Sequence, residues 1–202
     1  MIVLIALMFW GVGRTSGIKP PFELEAIHPL DNVEGNADSK VIIIEYSDFE
    51  CSACRTYYLV MRELMVEFGD RVAFIYRHFP LTGIHANAEL AARAAQAAGE
   101  QGKFWEMHDL LFEKQNEWIK AADTELLFES YATLLGISVE QFKTDFRSKK
   151  IRDFVRAERA NAIKLGLQDT PTFFINGKQI QNPSSVDVFR TIIEGAINSK
   201  SQ

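Results

Sequence analysis

Two cysteines stand three positions apart in Glu50-Cys51-Ser52-Ala53-Cys54, and the 202-residue chain has no others. A thiol reacts as its thiolate, so a redox pair needs one sulfur with a lowered pKa and a second close enough to close a ring with it. The first turn of a helix meets both needs. Its unpaired N–H groups and dipole favour negative charge on Cys51, while Cys54, one turn on, faces back toward it. Cys51 would then be the attacking or attacked sulfur and Cys54 the buried resolving partner. The competing use of Cys-x-x-Cys is half of a zinc site, which demands two further ligands. His28, His78, His85 and His108 are the only histidines, and none stands at finger-like spacing from the pair. The cysteine count also excludes a disulfide-dense scaffold.

Three other features could bear on this chemistry. Glu45 is an acid inside the β-branched run that starts at Val41, six residues before Cys51, where a pleated core position ordinarily takes an apolar side chain. It is a candidate proton relay for Cys54, since burial raises a carboxyl pKa toward neutrality; a paired structural carboxylate is the alternative. Pro171, in Asp169-Thr170-Pro171-Thr172, precedes a strand; a trans proline there would mark strand entry, whereas a cis bond would shape a site, and the residues alone leave both open. His78 and His85 flank Phe79-Pro80-Leu81, and His108 lies on an aromatic helical face. They are structural side chains first, though His78 and His85 are the ones able to titrate near neutral pH.

The elements that must position these residues follow from the apolar pattern. Val41-Ile42-Ile43-Ile44 suits a strand covered on both faces, ending near Tyr46 or Ser47. Leu59, Leu64 and Phe68, with Tyr57, Met61 and Met65, form a helical face stopped by Gly69-Asp70. Residues 72–76 make the next strand, so the cysteines open the helix of a right-handed βαβ crossover. From about 84 to 166 there is no strand pattern, only helical spacing: Leu90, Ala94 and Ala98, then Phe104, Met107 and Leu111, then Leu127, Tyr131 and Leu134. Ser138 and Gln141 form a capping box for the next helix, and 149–165 is a further one. Thr172-Phe173-Phe174-Ile175, an Asn176-Gly177 turn and Lys178-Gln179-Ile180 make a hairpin, and a last helix opens at Pro183-Ser184 with Ser184 and Asp187 as its capping pair.

Twenty-two basic against 27 acidic residues give a net charge of -5, with no basic run beyond Lys149-Lys150 and its flanks. That balance argues against nucleic-acid binding. Residues 1–13 (MIVLIALMFWGVG) are uncharged and apolar and read as a membrane-targeting core, shorter than the ~20 residues a span requires. A cleaved signal and an uncleaved anchor are both open, and a start further upstream would supply the missing basic end. Residues 14–37, with Gly17, Pro20-Pro21, Pro29 and Gly35-Asn36, read as a tether and entry loop.

With these residues in view the chain resembles the DsbA-like branch of the thioredoxin superfamily, in its secreted or membrane-tethered bacterial group. The resemblance runs from about His28 to the last helix. It is carried by the segment from Glu45 to Cys54, by Arg77-His78-Phe79-Pro80-Leu81, by Gly102-Lys103-Phe104-Trp105-Glu106-Met107-His108, and by the segment from Thr170 to Gly177. It implies an α/β thioredoxin fold over 38–199, with a helical insertion at about 84–166 between the second strand and a cis-proline hairpin. It further implies disulfide exchange at Cys51, a buried acid at Glu45, and Thr170-Pro171 lying against Cys51 and offering backbone groups to an extended substrate. The implied activity is a protein disulfide oxidoreductase needing no cofactor, most readily an oxidase of reduced, unfolded exported proteins. The implied place is outside the cytoplasm, with a quinone-linked membrane partner as reoxidant. Reductase or isomerase action, Cu(I) handling by the two thiols and a non-catalytic binding module are the alternatives. Ser52 and Ala53 stand where the best-known oxidants carry proline and histidine. With Asp48 and Glu50 opposing a thiolate and Arg55 as the one local cation, Cys51 is expected to be less acidic than in those relatives.

Overall fold

The computed structural model describes residues 23–200. The apolar run at 1–13 and the first part of the expected tether lie outside them. Strand β2 (Ile42–Ser47) is buried at all six positions because it has neighbours on both edges and helices on both faces. It pairs in parallel with β3 (Ala73–His78), across the crossover helix α1 (Ser52–Phe68), and antiparallel with β4 (Thr172–Ile175). The sheet order is β1-β3-β2-β4-β5, with β1 (Asn32–Gly35) and β5 (Lys178–Gln179) at its edges.

Strand alternation sorts the side chains onto two faces. Ile43, Glu45 and Ser47 share one face with Phe74, Tyr76, His78, Phe173 and Ile175, under α1 and the last helix, α8 (Val186–Lys200). Ile42, Ile44, Tyr46, Ile75 and Phe174 line the other, covered by Ala162 of α7 (Lys149–Lys164) and by Leu24, Ile27 and Val33. Arg77 is also on this second face, wholly buried. It makes a two-point pair with Asp31, Nε to Oδ1 at 3.0 Å and Nη2 to Oδ2 at 2.8 Å, and donates to the Glu23 carbonyl and the Tyr46 hydroxyl.

Between β3 and β4 lies an all-helical block: α2 (Ala88–Gly99), α3 (Phe104–Glu113), α4 (Gln115–Trp118), α5 (Thr124–Leu134), α6 (Val139–Arg147) and α7. Alanines 91, 92, 94, 95, 97 and 98 are all buried. Their small side chains let α2 sit centrally against its neighbours, because interaxial distance follows the side chains at the contact. Among the described residues no helix is long and apolar enough to cross a membrane.

Several local expectations need correction. The stretch 14–37 is not wholly a tether, since its last residues form the edge strand β1. Four residues, three half-buried and Gly35 exposed, carry too short an alternation to show in sequence. At its end Gly35 has φ +83°, and a Cβ there would stand 2.6 Å from the Val72 carbonyl oxygen. Strand β3 runs two residues beyond 76, to His78, and Asp31 neutralises the buried Arg77 in this extension. Leu59 points outward at 58% exposure, and Tyr58 takes the inward place on α1. Helix α8 is capped by Ser185, whose Oγ accepts from Val188 N–H at 3.3 Å; Asp187 turns to Arg190 instead of closing a box with Ser184. Ser138 caps α6 as expected, but Gln141 reaches Asp145 and leaves the reciprocal half unmade. The hairpin turn matches its residues, with Asn176 and Gly177 both at positive φ (48° and 80°).

Candidate functional site

Cys51 is the N-cap residue of α1, in an extended conformation with φ -73° and ψ 125°, and Cys54 lies one turn on; both are free thiols. Cys51 is half-buried and Cys54 has no exposed surface. The Cys51 thiol is held down at about 5, first by the Cys54 thiol donating to it. Burial works against this, and N–H groups of Cys54 and Ala53 and the Thr170 side chain reinforce it. Cys54 moves the other way. Burial holds it well above the ordinary range, and negative charge on Cys51 and Glu45 adds to the effect. One dithiol therefore contains an acidic, reachable sulfur and a basic, enclosed one.

Three segments frame Cys51. The β2–α1 loop is tied to the chain after β3 by Asp48, whose Oδ2 accepts from Leu81 N–H at 2.8 Å and pairs with His85 Nδ1 at 2.8 Å. Oδ1 of Asp48 accepts from Glu50 N–H, and Glu50 itself accepts from Asn87 N–H at 2.7 Å. The two carboxylates expected to oppose the Cys51 thiolate are thus engaged in holding the loop. From the helical block, Gln115 Nε2 donates to the carbonyls of Phe49 (2.7 Å) and Cys51 (3.0 Å). Opposite, the Thr170–Pro171 peptide bond is cis, and the Thr170 carbonyl lies 3.5 Å from Cys51 Sγ. Thr172 Oγ1 donates to the Asp169 carbonyl at 2.7 Å and Asn182 Nδ2 to the Pro171 carbonyl at 2.8 Å, bracing this turn.

Beneath the pair, Glu45 is 2% exposed. Its carboxyl is raised to about 8, first by burial; a hydrogen bond from Ser47 partly offsets this, and charge on Cys51 adds to it. Ser47 Oγ donates to Glu45 Oε1 at 2.6 Å. Tyr76 stands opposite Glu45 in the β2–β3 register, and its buried hydroxyl has no hydrogen-bond partner. The histidines sit differently. His78 is enclosed in β3 near Gln96, held at about 3 by burial and so neutral. His108 is likewise lowered by burial among Phe49, Tyr58, Tyr76 and Phe112.

The structure thus brings Cys51, Cys54, Glu45, Thr170 and Pro171 into one cluster. Sequence reasoning missed Ser47, Tyr76 and Gln115, and it read Asp48 only as a charge opposing the Cys51 thiolate. A second polar residue two positions after Glu45 signals Ser47, because both share a strand face; Tyr76 needs the register, and nothing local marks Gln115. Among the described residues no group of three or more His, Cys, Asp or Glu side chains is placed to hold a metal ion.

Residues 29–195 match a family profile described as Thioredoxin. The chain is similar to a Na(+)/H(+) antiporter NhaA 3 of Salinispora tropica, with 36% identity over 84% of this chain and 25% of that protein. It spans between a quarter and three tenths of the length of the first curated relatives it matches. Among solved structures it is similar to alpha-DsbA1 of Wolbachia pipientis, with 23% identity and a TM-score of 0.76 over 87% of this chain and 95% of that one. It is equally similar to oxidised BdbD of Bacillus subtilis, with 24% identity and a TM-score of 0.76 over 86% and 96%.

Proposed function

This chain belongs to the thioredoxin family, and on that premise we propose that it is a protein dithiol–disulfide oxidoreductase working through Cys51 and Cys54, running as an oxidase of exported proteins. The observation that carries the reading is the split pair: a sulfur at about 5 beside one held above its ordinary range, facing a cis-proline turn. In the oxidised protein a substrate thiolate attacks Cys51 Sγ. The Cys51–Cys54 bond breaks, and Cys54 leaves with the electron pair and takes a proton. A second substrate thiolate then attacks the substrate sulfur of the mixed disulfide, and Cys51 departs as a thiolate. The substrate has lost two electrons and the protein has gained them. An acidic Cys51 favours this direction, because a stabilised thiolate stabilises the reduced protein and makes its disulfide more oxidising.

The Thr170 carbonyl beside Cys51 supports pairing with an extended substrate backbone. The apolar residues 1–13 support a place outside the cytoplasm, secreted or tethered to the membrane, and a quinone-linked membrane protein is the reoxidant this reading calls for. Antiport by the curated relatives is not part of the proposal, since the match spans a quarter of the Salinispora protein. Reductase or isomerase action is the second reading, favoured by Ser52-Ala53, which leaves no histidine between the sulfurs to stabilise the thiolate. Equilibration with glutathione decides between them. A potential more oxidising than about -180 mV, with disulfides transferred to a reduced unfolded client, supports the oxidase. A value near the ~-270 mV of thioredoxin overturns it in favour of the reductase.

A further inference from the structure

Helix α7 meets the sheet beside the active loop with three polar side chains. The amides of β3 and the residue after it alternate in direction: those of Ala73 and Phe79 donate to the Val41 and Ser47 carbonyls on the β2 side, so that of His78 points to the other edge. Edge strand β1 stops short of it, the pairing ending at Asn32 with Tyr76. Among the described residues Glu158 of α7 fills the gap, its Oε2 accepting from His78 N–H at 2.8 Å. Glu158 is 1% exposed, and a buried amide left without an acceptor is costly. Next to it Arg159 Nε donates to the Pro80 carbonyl at 3.0 Å, and Asn161 Nδ2 donates to the Tyr46 hydroxyl at 2.8 Å.

The strip 78–81 is thereby gripped alternately from two sides. Its His78 amide and Pro80 carbonyl are held by α7, and its Phe79 and Leu81 amides by the Ser47 carbonyl (2.7 Å) and Asp48 Oδ2 (2.8 Å). Asp48 in turn carries the loop to the sulfur, since Cys51 N–H donates to its carbonyl at 3.1 Å. The same helix runs into the opposite wall. Gly166, at φ +79°, stops it, and Leu167 N–H returns to the Ala162 carbonyl at 3.1 Å. Leu167 packs into the core of the second sheet face, and the chain then reaches Thr170 through Gln168 and Asp169. Both sides of Cys51 are therefore built on one helix: the loop that bears it, and the turn whose Thr170 carbonyl lies 3.5 Å from its Sγ.

We propose that Glu158 is a positioning residue for the exchange reaction: by fixing the strip 78–81 to α7 it holds the Cys51 loop at the distance from the cis-proline turn that a peptide thiol requires. The proposal rests on the dithiol–disulfide reading above and adds what sets the width of its cleft. A small thiol needs only Cys51 Sγ. A peptide thiol must reach the sulfur while its backbone pairs beside Thr170, so its attack depends on the spacing of loop and turn. Misplacement by about 1 Å costs an oriented reaction up to about 100-fold. The influence of Glu158 passes through the backbone it holds. Burial keeps its carboxyl well above the ordinary range, so the neutral form is the one that accepts from His78. Glutamine, with an uncharged oxygen in the same place, serves equally; methionine, of similar length, has no oxygen to offer.

Rate constants for reduction of the oxidised protein by a cysteine-containing unfolded peptide and by mercaptoethanol separate positioning from general loosening. Glu158→Met is expected to lower the peptide rate constant about 10-fold and leave that of mercaptoethanol within about twofold. Glu158→Gln should keep both within about twofold of the parent. Arg159→Met releases the Pro80 carbonyl from a half-buried side chain and should shift the ratio of the two rates in the same direction, by about threefold. Equal loss with both thiols, no loss with the peptide, or Glu158→Gln as slow as Glu158→Met overturns the positioning role. If Glu158→Met does not fold, Arg159→Met decides alone, and an unchanged ratio there overturns the proposal. A parent that exchanges with neither thiol would overturn the oxidoreductase reading itself.

Discussion

Removing the Cys54 thiol should make Cys51 a weaker acid, and the size of the change follows from one hydrogen bond. The Cys54 S–H is the strongest of the influences that hold Cys51 at about 5. A hydrogen bond to a charged group contributes about 1.5–3 kcal/mol, and a sulfur donor on a half-exposed acceptor belongs at or below the low end. At about 1.4 kcal/mol per pKa unit, Cys54→Ala should therefore raise Cys51 from about 5 to about 6. Cys54→Ser keeps a donor at the same place and should stay near the original value. The ultraviolet absorbance of the thiolate, titrated with pH, reads this directly. The rate of alkylation by iodoacetamide at about pH 5.5 should fall about threefold in Cys54→Ala, from about three-quarters thiolate to about one-quarter. An unchanged titration in Cys54→Ala would refute the donor argument and assign the acidity of Cys51 to the helix N–H groups and Thr170 alone.

Glu45 gives a pH-dependent stability of opposite sign to a salt-bridged acid. Its folded pKa of about 8 exceeds the ordinary 4.5, so the folded state binds more protons between these values and stability falls as pH rises through that window. Glu45→Gln should remove the slope and unfold about 2–3 kcal/mol harder than the parent at about pH 7; parallel denaturation curves for both proteins across the window would refute this. Asp31→Ala strands the buried Arg77 guanidinium and should cost about 3–5 kcal/mol in urea unfolding, and a loss under about 1 kcal/mol would mean that the Glu23 carbonyl and Tyr46 suffice. Gln115→Ala leaves the Phe49 and Cys51 carbonyls without their donor from the helical block. It should cost about 1–3 kcal/mol and speed hydrogen exchange in the active loop, whereas unaltered exchange there would remove Gln115 from the positioning of Cys51.

Much of the site and fold is legible in local pattern. The spacing of Cys51 and Cys54 is a property of one helical turn, so the sequence places both at the start of α1 without knowledge of what packs around them. The run from Val41 announces a covered strand, Asn176-Gly177 a tight turn, and the spacing from Leu90 onward a helical block. Glu45 is conspicuous as an acid where its neighbours are β-branched. These features were readable because each is decided within about ten residues by backbone geometry or by a period of 2 or 3.6.

Other assignments depend on distant partners. Arg77 and His78 look like the end of a strand, yet β3 runs through both, and Asp31, 46 residues away, neutralises the arginine. Asp48 and Glu50 look like a local electrostatic penalty on Cys51 until Leu81, His85 and Asn87 claim them. Local pattern was enough to name the atoms that could react and the element on which they begin. Their acidity came from relations between segments that no local pattern contains: burial, the β2–β3 register that sets Tyr76 against Glu45, and the reach of Gln115 and Thr170 to Cys51.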